Sequence, residues 1–344
     1  MEPVPLCRGE VILTMEQPQQ MMSVKWKHCR AAAVVVPDPV SVEMAKRSVG
    51  DRRVGMLINA DGWNAEEDTG AKWPSERLIG RFRNIARRAM HEEADFVYIR
   101  MRQNLHVLRA AVLAATELDG LGVFVELPVD EDGRTADGSS AMAVMGILQR
   151  IGVAGLILTG EPEDLDDTIE ELAPHASVAL GVSVEPRELR EMRELASVEF
   201  YHTHEPDDVR RLLELAPPSS GRDEPEADDD YILAPVGMHA HFVDVTIDIS
   251  DPIDLEDRFG ETLLELEDQW SGALKLEINT PEDVHLLAEV QYMLNRPVCL
   301  AAENPELLEE ALCVFDGIAL YDGTWELDKE TIEYFRRHYG MVAL

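Results

Sequence analysis

A chain of 344 residues is long enough for two domains of ordinary size, or for one large α/β barrel with additions. Its 67 Asp and Glu residues against 31 Lys and Arg give a formal net charge of −36, which argues against any sequence-independent grip on nucleic acid or anionic membrane. With 45% hydrophobic but only 6% aromatic residues, disorder throughout is excluded and the core is expected to consist of small aliphatic side chains.

No apolar run approaches the roughly 18 residues of a membrane span, and the N-terminal region lacks the charged, apolar and small segments of a signal peptide in that order. The expectation is a cytoplasmic protein with neither nucleic acid nor membrane as partner. Four cysteines, Cys7, Cys29, Cys299 and Cys313, are too few and too scattered for a disulfide framework or a zinc ribbon, and are expected as reduced thiols.

Short β-branched runs alternate with amphipathic stretches along the first two thirds of the chain, the rhythm of parallel βα units. Strands are predicted at 11–15, 32–36, 54–59, 95–100, 122–127, 153–159, 177–184 and 197–202, and helices at 75–93, 105–118, 141–151, 164–173, 186–196 and 206–215. Eight such strands close most readily into a (β/α)8 TIM-type barrel spanning 1–216. The segment 217–230, PPSSGRDEPEADDD, reads as a solvated acidic linker. The rhythm then resumes in 231–344, with strands expected at 231–236, 242–249, 273–278, 298–302 and 317–321, helices at 256–269, 281–294 and 305–315, and a strand-like 340–344. That is about half the elements of a second barrel.

Barrel enzymes place their chemistry at the C-terminal ends of the strands. Glu126 ends the fifth strand there, and the loop after it carries Asp130, Glu131, Asp132 and Arg134, a set able to hold a hard cation or to act as acid and base. The same DEDG string is also a turn in which Gly133 supplies a positive φ. At the end of the third strand, Asn59, Asp61 and Trp63 make another turn, with Trp63 placed to roof a ligand. His202-Thr203-His204 and His239-Ala240-His241 are both His-x-His, which on a strand puts two imidazoles on one face as metal sites do; solvent-facing or capping histidines among many acids fit the same spacing. There is no complete Gly-x-Gly-x-x-Gly or Walker string, hence no nucleotide fingerprint.

The strings ADFVYIR at 94–100 and GVFVELPVDEDGRT at 122–135, followed by Gly138, resemble the homocysteine-binding barrel of cobalamin-dependent methionine synthase and other homocysteine S-methyltransferases. Residues 256–344 are similar to the first half of the pterin-binding barrel of the same enzymes, through LEIN at 276–279, RPVCL at 296–300 and NPELLEEA at 304–311. The resemblance implies a ligand pocket around Asn59, Arg100, Glu126, Asp130 and Arg134, and a pterin-like edge at Glu277, Asn279 and Asp322.

It also shows what is missing. The family activates the substrate thiol with zinc on three cysteines, and the matching positions here hold Leu158, Tyr201 and His202; zinc, if bound, is not held by thiolates and would fall to His202 and His204. Arg100 stands where the family has a Glu that receives an ammonium, so an anionic ligand is expected in place of an amino acid. Ala301 replaces an Asp of the pterin site. Asp283 and His285 imitate a corrinoid-binding motif that lacks its glycine and lies within a predicted helix. The function implied is a methyltransferase-family protein serving as a binding or partner subunit of one-carbon or corrinoid metabolism, with pterin a weak second ligand. The alternative is an active methyltransferase or metal-dependent enzyme using His and carboxylate ligands. The open edges of the second unit are expected to be covered by a homodimer, or by a separate corrinoid or methyltransferase protein.

Overall fold

The alternation of apolar and small residues in the eight N-terminal strands lets them close on themselves. In the computed structural model, which describes residues 9–61, 74–100, 104–216, 231–255, 259–267 and 272–344, strands β1 (Glu10–Thr14), β2 (Ala33–Val36), β3 (Arg53–Asn59), β4 (Phe96–Arg100), β5 (Gly122–Pro128), β6 (Gly155–Thr159), β7 (Ala179–Ser183) and β8 (Phe200–Thr203) form a closed parallel barrel in chain order. The ring is completed by β1 pairing with β8. This is the (β/α)8 architecture expected from the sequence.

The interior is filled in layers. Ile12, Ala33, Val35, Phe96, Tyr98, Phe124, Ile157 and Phe200 form the inner core, and the strand period of two then sends Thr14, Arg100, Glu126, Ser183 and His202 to the same face one step nearer the C-terminal ends. The three phenylalanines have room because glycines face them. A Cβ on Gly55 would lie 2.2 Å from the Phe96 ring, one on Gly155 2.8 Å from Phe124 and one on Gly181 2.4 Å from Phe200. Gly181→Ala is therefore expected to destabilise the barrel by about 1–3 kcal/mol through overpacking, read as a lowered urea midpoint.

Helices α1 (Pro18–Ser23), α2 (Pro39–Ser48), α3 (Pro74–His91), α4 (Leu105–Thr116), α5 (Ala141–Ile151), α6 (Pro162–Leu172) and α7 (Asp208–Leu215) lie between or after the strands. Asp38 and Asn104 cap α2 and α4 by accepting the backbone N–H groups of Ser41 and Val107. The helix predicted at 186–196 is instead two short 3-10 turns, Glu188–Arg190 and Leu195–Ser197. The reason is a tertiary partner: the buried Asp166 carboxylate accepts the N–H groups of Arg193 and Glu194, which a continuous helix would have bonded to its own carbonyls.

The described residues divide into two compact units, one drawn from within 1–63, 79–141 and 153–227, the other from within 64–78, 142–152 and 228–344. In the second, the first two predicted strands are a short antiparallel hairpin, β9 (Tyr231–Leu233) with β10 (Phe242–Asp244), rather than parallel βα units. A five-stranded parallel sheet follows: β11 (Ile253–Asp254), β12 (Leu274–Glu277), β13 (Val298–Ala301), β14 (Leu320–Tyr321) and β15 (Val342–Ala343). Helices α8 (Phe259–Glu267), α9 (Pro281–Val290), α10 (Pro305–Val314) and α11 (Lys329–Tyr339) intervene. Thr280 and Asp283 form a capping box at the start of α9, so Asp283 of the corrinoid-like string serves the helix itself. Gly340, at φ +74°, ends α11 in the left-handed conformation that leads into β15. Among the described residues no helix is long and apolar enough to cross a membrane, and Cys29, Cys299 and Cys313 are in no disulfide. The acidic linker, Trp63 and Cys7 lie outside the described residues.

Candidate functional site

Tyr98, Arg100 and Glu126 meet at the C-terminal end of the barrel interior, with Glu16 reaching them from the chain beyond β1. Arg100 is in register with Asn59 on one side and Glu126 on the other. The Arg100 and Glu126 side chains are nearly sealed from solvent, at 8% and 4% exposure. The Arg100 Nε–H donates to Glu126 Oε2 at 2.9 Å, and the Tyr98 hydroxyl donates to the same oxygen at 2.8 Å. Arg100 Nη1 donates to Glu16 Oε1 at 2.9 Å, from the chain just beyond β1, where Glu16 is more than half exposed. Burial works against the Arg100 charge, but Glu126 and Glu16 outweigh it and hold the guanidinium protonated. Burial first, then the neighbouring Glu126, push the Tyr98 phenol well above its ordinary value, so it stays a donor.

The third guanidinium nitrogen is different. Arg100 Nη2 is buried and has no hydrogen-bond partner, and the same is true of His204 Nδ1, which lies 4.0 Å from Glu16 Oε1. A buried donor left unmade is unfavourable by about 1–3 kcal/mol, so such a group usually marks a place for water or ligand.

His202 sits deeper. Its Nε2 is 2.8 Å from Thr14 Oγ1 and its Nδ1 2.8 Å from Ser183 Oγ, and its ring stacks on Tyr98 at 5.2 Å. Each hydroxyl can donate or accept, so the neutral imidazole is satisfied in either tautomer. Burial, with His204 and Arg100 adding to it, depresses His202 well below the usual histidine value. His204, whose ring meets that of His202 edge-on at 4.8 Å, is lowered by burial and Arg100, against the opposing pull of Glu126, Glu16 and Glu205.

The positions matched to zinc thiolates do not form a metal site of that kind. Ile157 and Phe200 face the interior core, so alternation turns Leu158 and Tyr201 to the outer face and leaves His202 alone pointing inward. Both nitrogens of His202 already hold hydroxyls. Among the described residues no group of three or more His, Cys, Asp or Glu side chains is arranged to hold a metal ion.

The other expected residues fall into three places. Asn59 is exposed, and its Oδ1 accepts from the Asp61 N–H, the turn read from the sequence. Asp130 binds its own loop, accepting from the Asp132 and Arg134 N–H groups at 3.0 and 2.9 Å, with Gly133 at φ +65°. Arg134 Nη1 donates to the Gly138 carbonyl at 2.8 Å. Asp137, which the sequence reading passed over, locks this loop to α4: its carboxylate accepts from the Leu105 N–H at 2.7 Å and from Thr135 Oγ1 at 2.6 Å. Burial favours its neutral form, yet these hydrogen bonds prevail and hold it below the ordinary carboxylate range. A separate concavity lined by Glu131, Glu161, Glu163, Asp164, Asp166 and Glu191 is a solvated acidic surface, with Arg193 bound to Asp166 and Asp167.

In the second unit, Asp322 receives Lys275 Nζ at 2.6 Å, and Thr324 Oγ1 takes the same ammonium at 2.5 Å. Burial works against the Asp322 charge, but Lys275 and Thr324 hold its carboxyl below its ordinary value. Its carboxylate is therefore already committed to a partner within its own sheet. Glu277 is half-buried beside Asp254 in the strand register, and Asn279 Nδ2 reaches Asp254 Oδ1 only at 3.5 Å. His239 and His241 belong to the β9–β10 turn, their rings 6.4 Å apart.

No family model and no curated protein matches this chain. Among solved structures, the apo form of the homocysteine methyltransferase MmuM from Escherichia coli aligns at 10% identity and TM-score 0.49, covering 60% of this chain and 96% of that one. A pyruvate carboxylase from Rhizobium etli aligns at 8% identity and TM-score 0.45, covering 61% of this chain and 26% of that one. A putative dihydrodipicolinate synthetase from Pseudomonas aeruginosa aligns at 10% identity and TM-score 0.41, covering 60% and 79%. At such identities, and with TM-scores below 0.5, these likenesses carry no argument about function.

Proposed function

We propose that the barrel is a methyltransferase-like binding barrel that does not run zinc-thiolate methyl transfer, and that it serves as a ligand-binding or partner subunit in one-carbon metabolism. The observation that carries this reading is the content of the mouth: His202 with both ring nitrogens on hydroxyls, and a sealed Arg100–Glu126–Tyr98 group, where thiol activation would require a metal with an open coordination position. Arg100, Glu126 and Glu16 together carry one net negative charge, the single guanidinium being shared between the two carboxylates.

The test is an assay of methyl transfer to homocysteine with zinc supplied, run beside a calorimetric titration with homocysteine. No methionine and no heat of binding are expected. Turnover that disappears in His202→Ala would favour the second reading, a metal-dependent enzyme using the two histidines, whose rings do lie close together at the rim.

A further inference from the structure

We propose that the mouth of the barrel binds a small carboxylate end-on at Arg100, in the place that Glu16 now holds. The inference rests on the binding-subunit reading above and names the class of ligand.

A guanidinium presents two hydrogen-bonding edges to a planar acceptor, and a carboxylate taken by either edge accepts two parallel N–H bonds. Arg100 uses neither edge fully. Glu126 takes only Nε and Glu16 takes only Nη1, so Nη2, which completes the end-on edge with Nη1, has no acceptor although it is buried. His204 Nδ1, also buried and without a partner, stands 4.0 Å from the Glu16 oxygen on Nη1. One carboxylate seated on the end-on edge would satisfy Nη1 and Nη2 together and lie within reach of an Nδ1–H tautomer of His204.

The two resident carboxylates are not equivalent. Glu126 is 4% exposed and is fixed by both Tyr98 and Arg100, whereas Glu16 is 57% exposed and returns to water at little desolvation cost. Glu16 is thus an internal occupant that an external carboxylate can replace. Exchange of one carboxylate for another also leaves the charge around Glu126 unchanged. A phosphate dianion would add a charge against the buried Glu126, so the planar monoanion is the better fit.

The test uses the full chain and acetate as the probe, followed by NMR titration of the arginine and histidine side-chain signals. Glu16→Gln is expected to bind acetate saturably and about tenfold more tightly than the unmodified protein, the worth of one charge-assisted hydrogen bond released from competition. The double variant Arg100→Met/Glu126→Gln, which removes the buried pair together so that the barrel still folds, is expected to lose binding. Inorganic phosphate is expected to give no saturable response. Equal acetate affinity with and without Glu16, tighter phosphate than acetate binding, or acetate binding that survives the double variant would each overturn the proposal. Acetamide separates the two levels of inference. If Glu16→Gln answers acetamide but not acetate, the carboxylate assignment falls while the small-molecule reading stands; if it answers neither, the ligand site at Arg100 falls, and the homocysteine assay decides the reading above by itself.

Discussion

Replacing Arg100 by Met is expected to destabilise the barrel by about 3–5 kcal/mol, because it removes one member of a buried ion pair and leaves Glu126 Oε2 without the guanidinium bond at 2.9 Å. Tyr98 would still donate to that oxygen, but one neutral hydroxyl does not replace an ionic partner in a site where Glu126 is only 4% exposed. Replacing both members, as Arg100→Met/Glu126→Gln, is expected to recover most of the loss, since two uncharged groups of similar size remove the unpaired charge along with the pair. Urea unfolding of the single and double variants measures this coupling. A single-variant loss below about 1 kcal/mol, the range of exposed pairs, would mean that the bond is a surface ion pair and not the centre of the mouth.

Acidification is the second large effect. His202 is held neutral in the folded protein by burial, His204 and Arg100, while in the unfolded chain it titrates near its usual value of about 6.5. Below that pH the unfolded chain therefore binds the extra proton, and stability falls by up to about 1.4 kcal/mol per pH unit for each such histidine. The contribution is complete above the unfolded value and is lost as the pH drops through the window beneath it. His204 and His241, both lowered chiefly by burial, act in the same direction. His202→Asn is expected to be less stable near neutrality, because one hydroxyl partner is lost, but to show a shallower decline between about pH 6.5 and 5. Parallel slopes for the two proteins in urea unfolding across that window would place the missing proton elsewhere.

Much of the barrel is legible in the sequence because its interior obeys a period of two and its strands are rich in β-branched residues. All eight strands fall where the apolar runs place them, with ends displaced by a few residues. What fails is decided by tertiary partners. The stretch 186–196 has helical composition, yet Asp166, a buried residue distant in sequence, takes the N–H groups that would have continued it. The runs at 231–236 and 242–249 look like further parallel strands, yet Gly237, at φ +53°, and the bridge between Val236 and His239 fold them into a hairpin.

The site is legible only in part for a similar reason. Arg100 and Glu126 stand out as charges inside apolar strands, and their shared register follows from the barrel. Tyr98, Thr14 and Ser183 carry the same signal, since each lies on the inward parity of its strand, but hydroxyl groups in strands attract less notice than charges. Glu16 has no such mark: it lies beyond the end of β1, and only the folded chain brings it to Arg100. The DEDGRT loop, the most family-like string, proves to be held by its own backbone bonds and by Asp137.

The barrel mouth is expected to hold no tightly bound zinc, and elemental analysis of the purified full chain after exhaustive dialysis tests this most directly. Zinc far below one equivalent is expected, unchanged by His202→Ala, because Leu158 and Tyr201 face away from the interior and His202 is bound to Thr14 and Ser183. One equivalent that survives dialysis and is lost with His202→Ala would contradict the account and make the two histidines the centre of a metal enzyme.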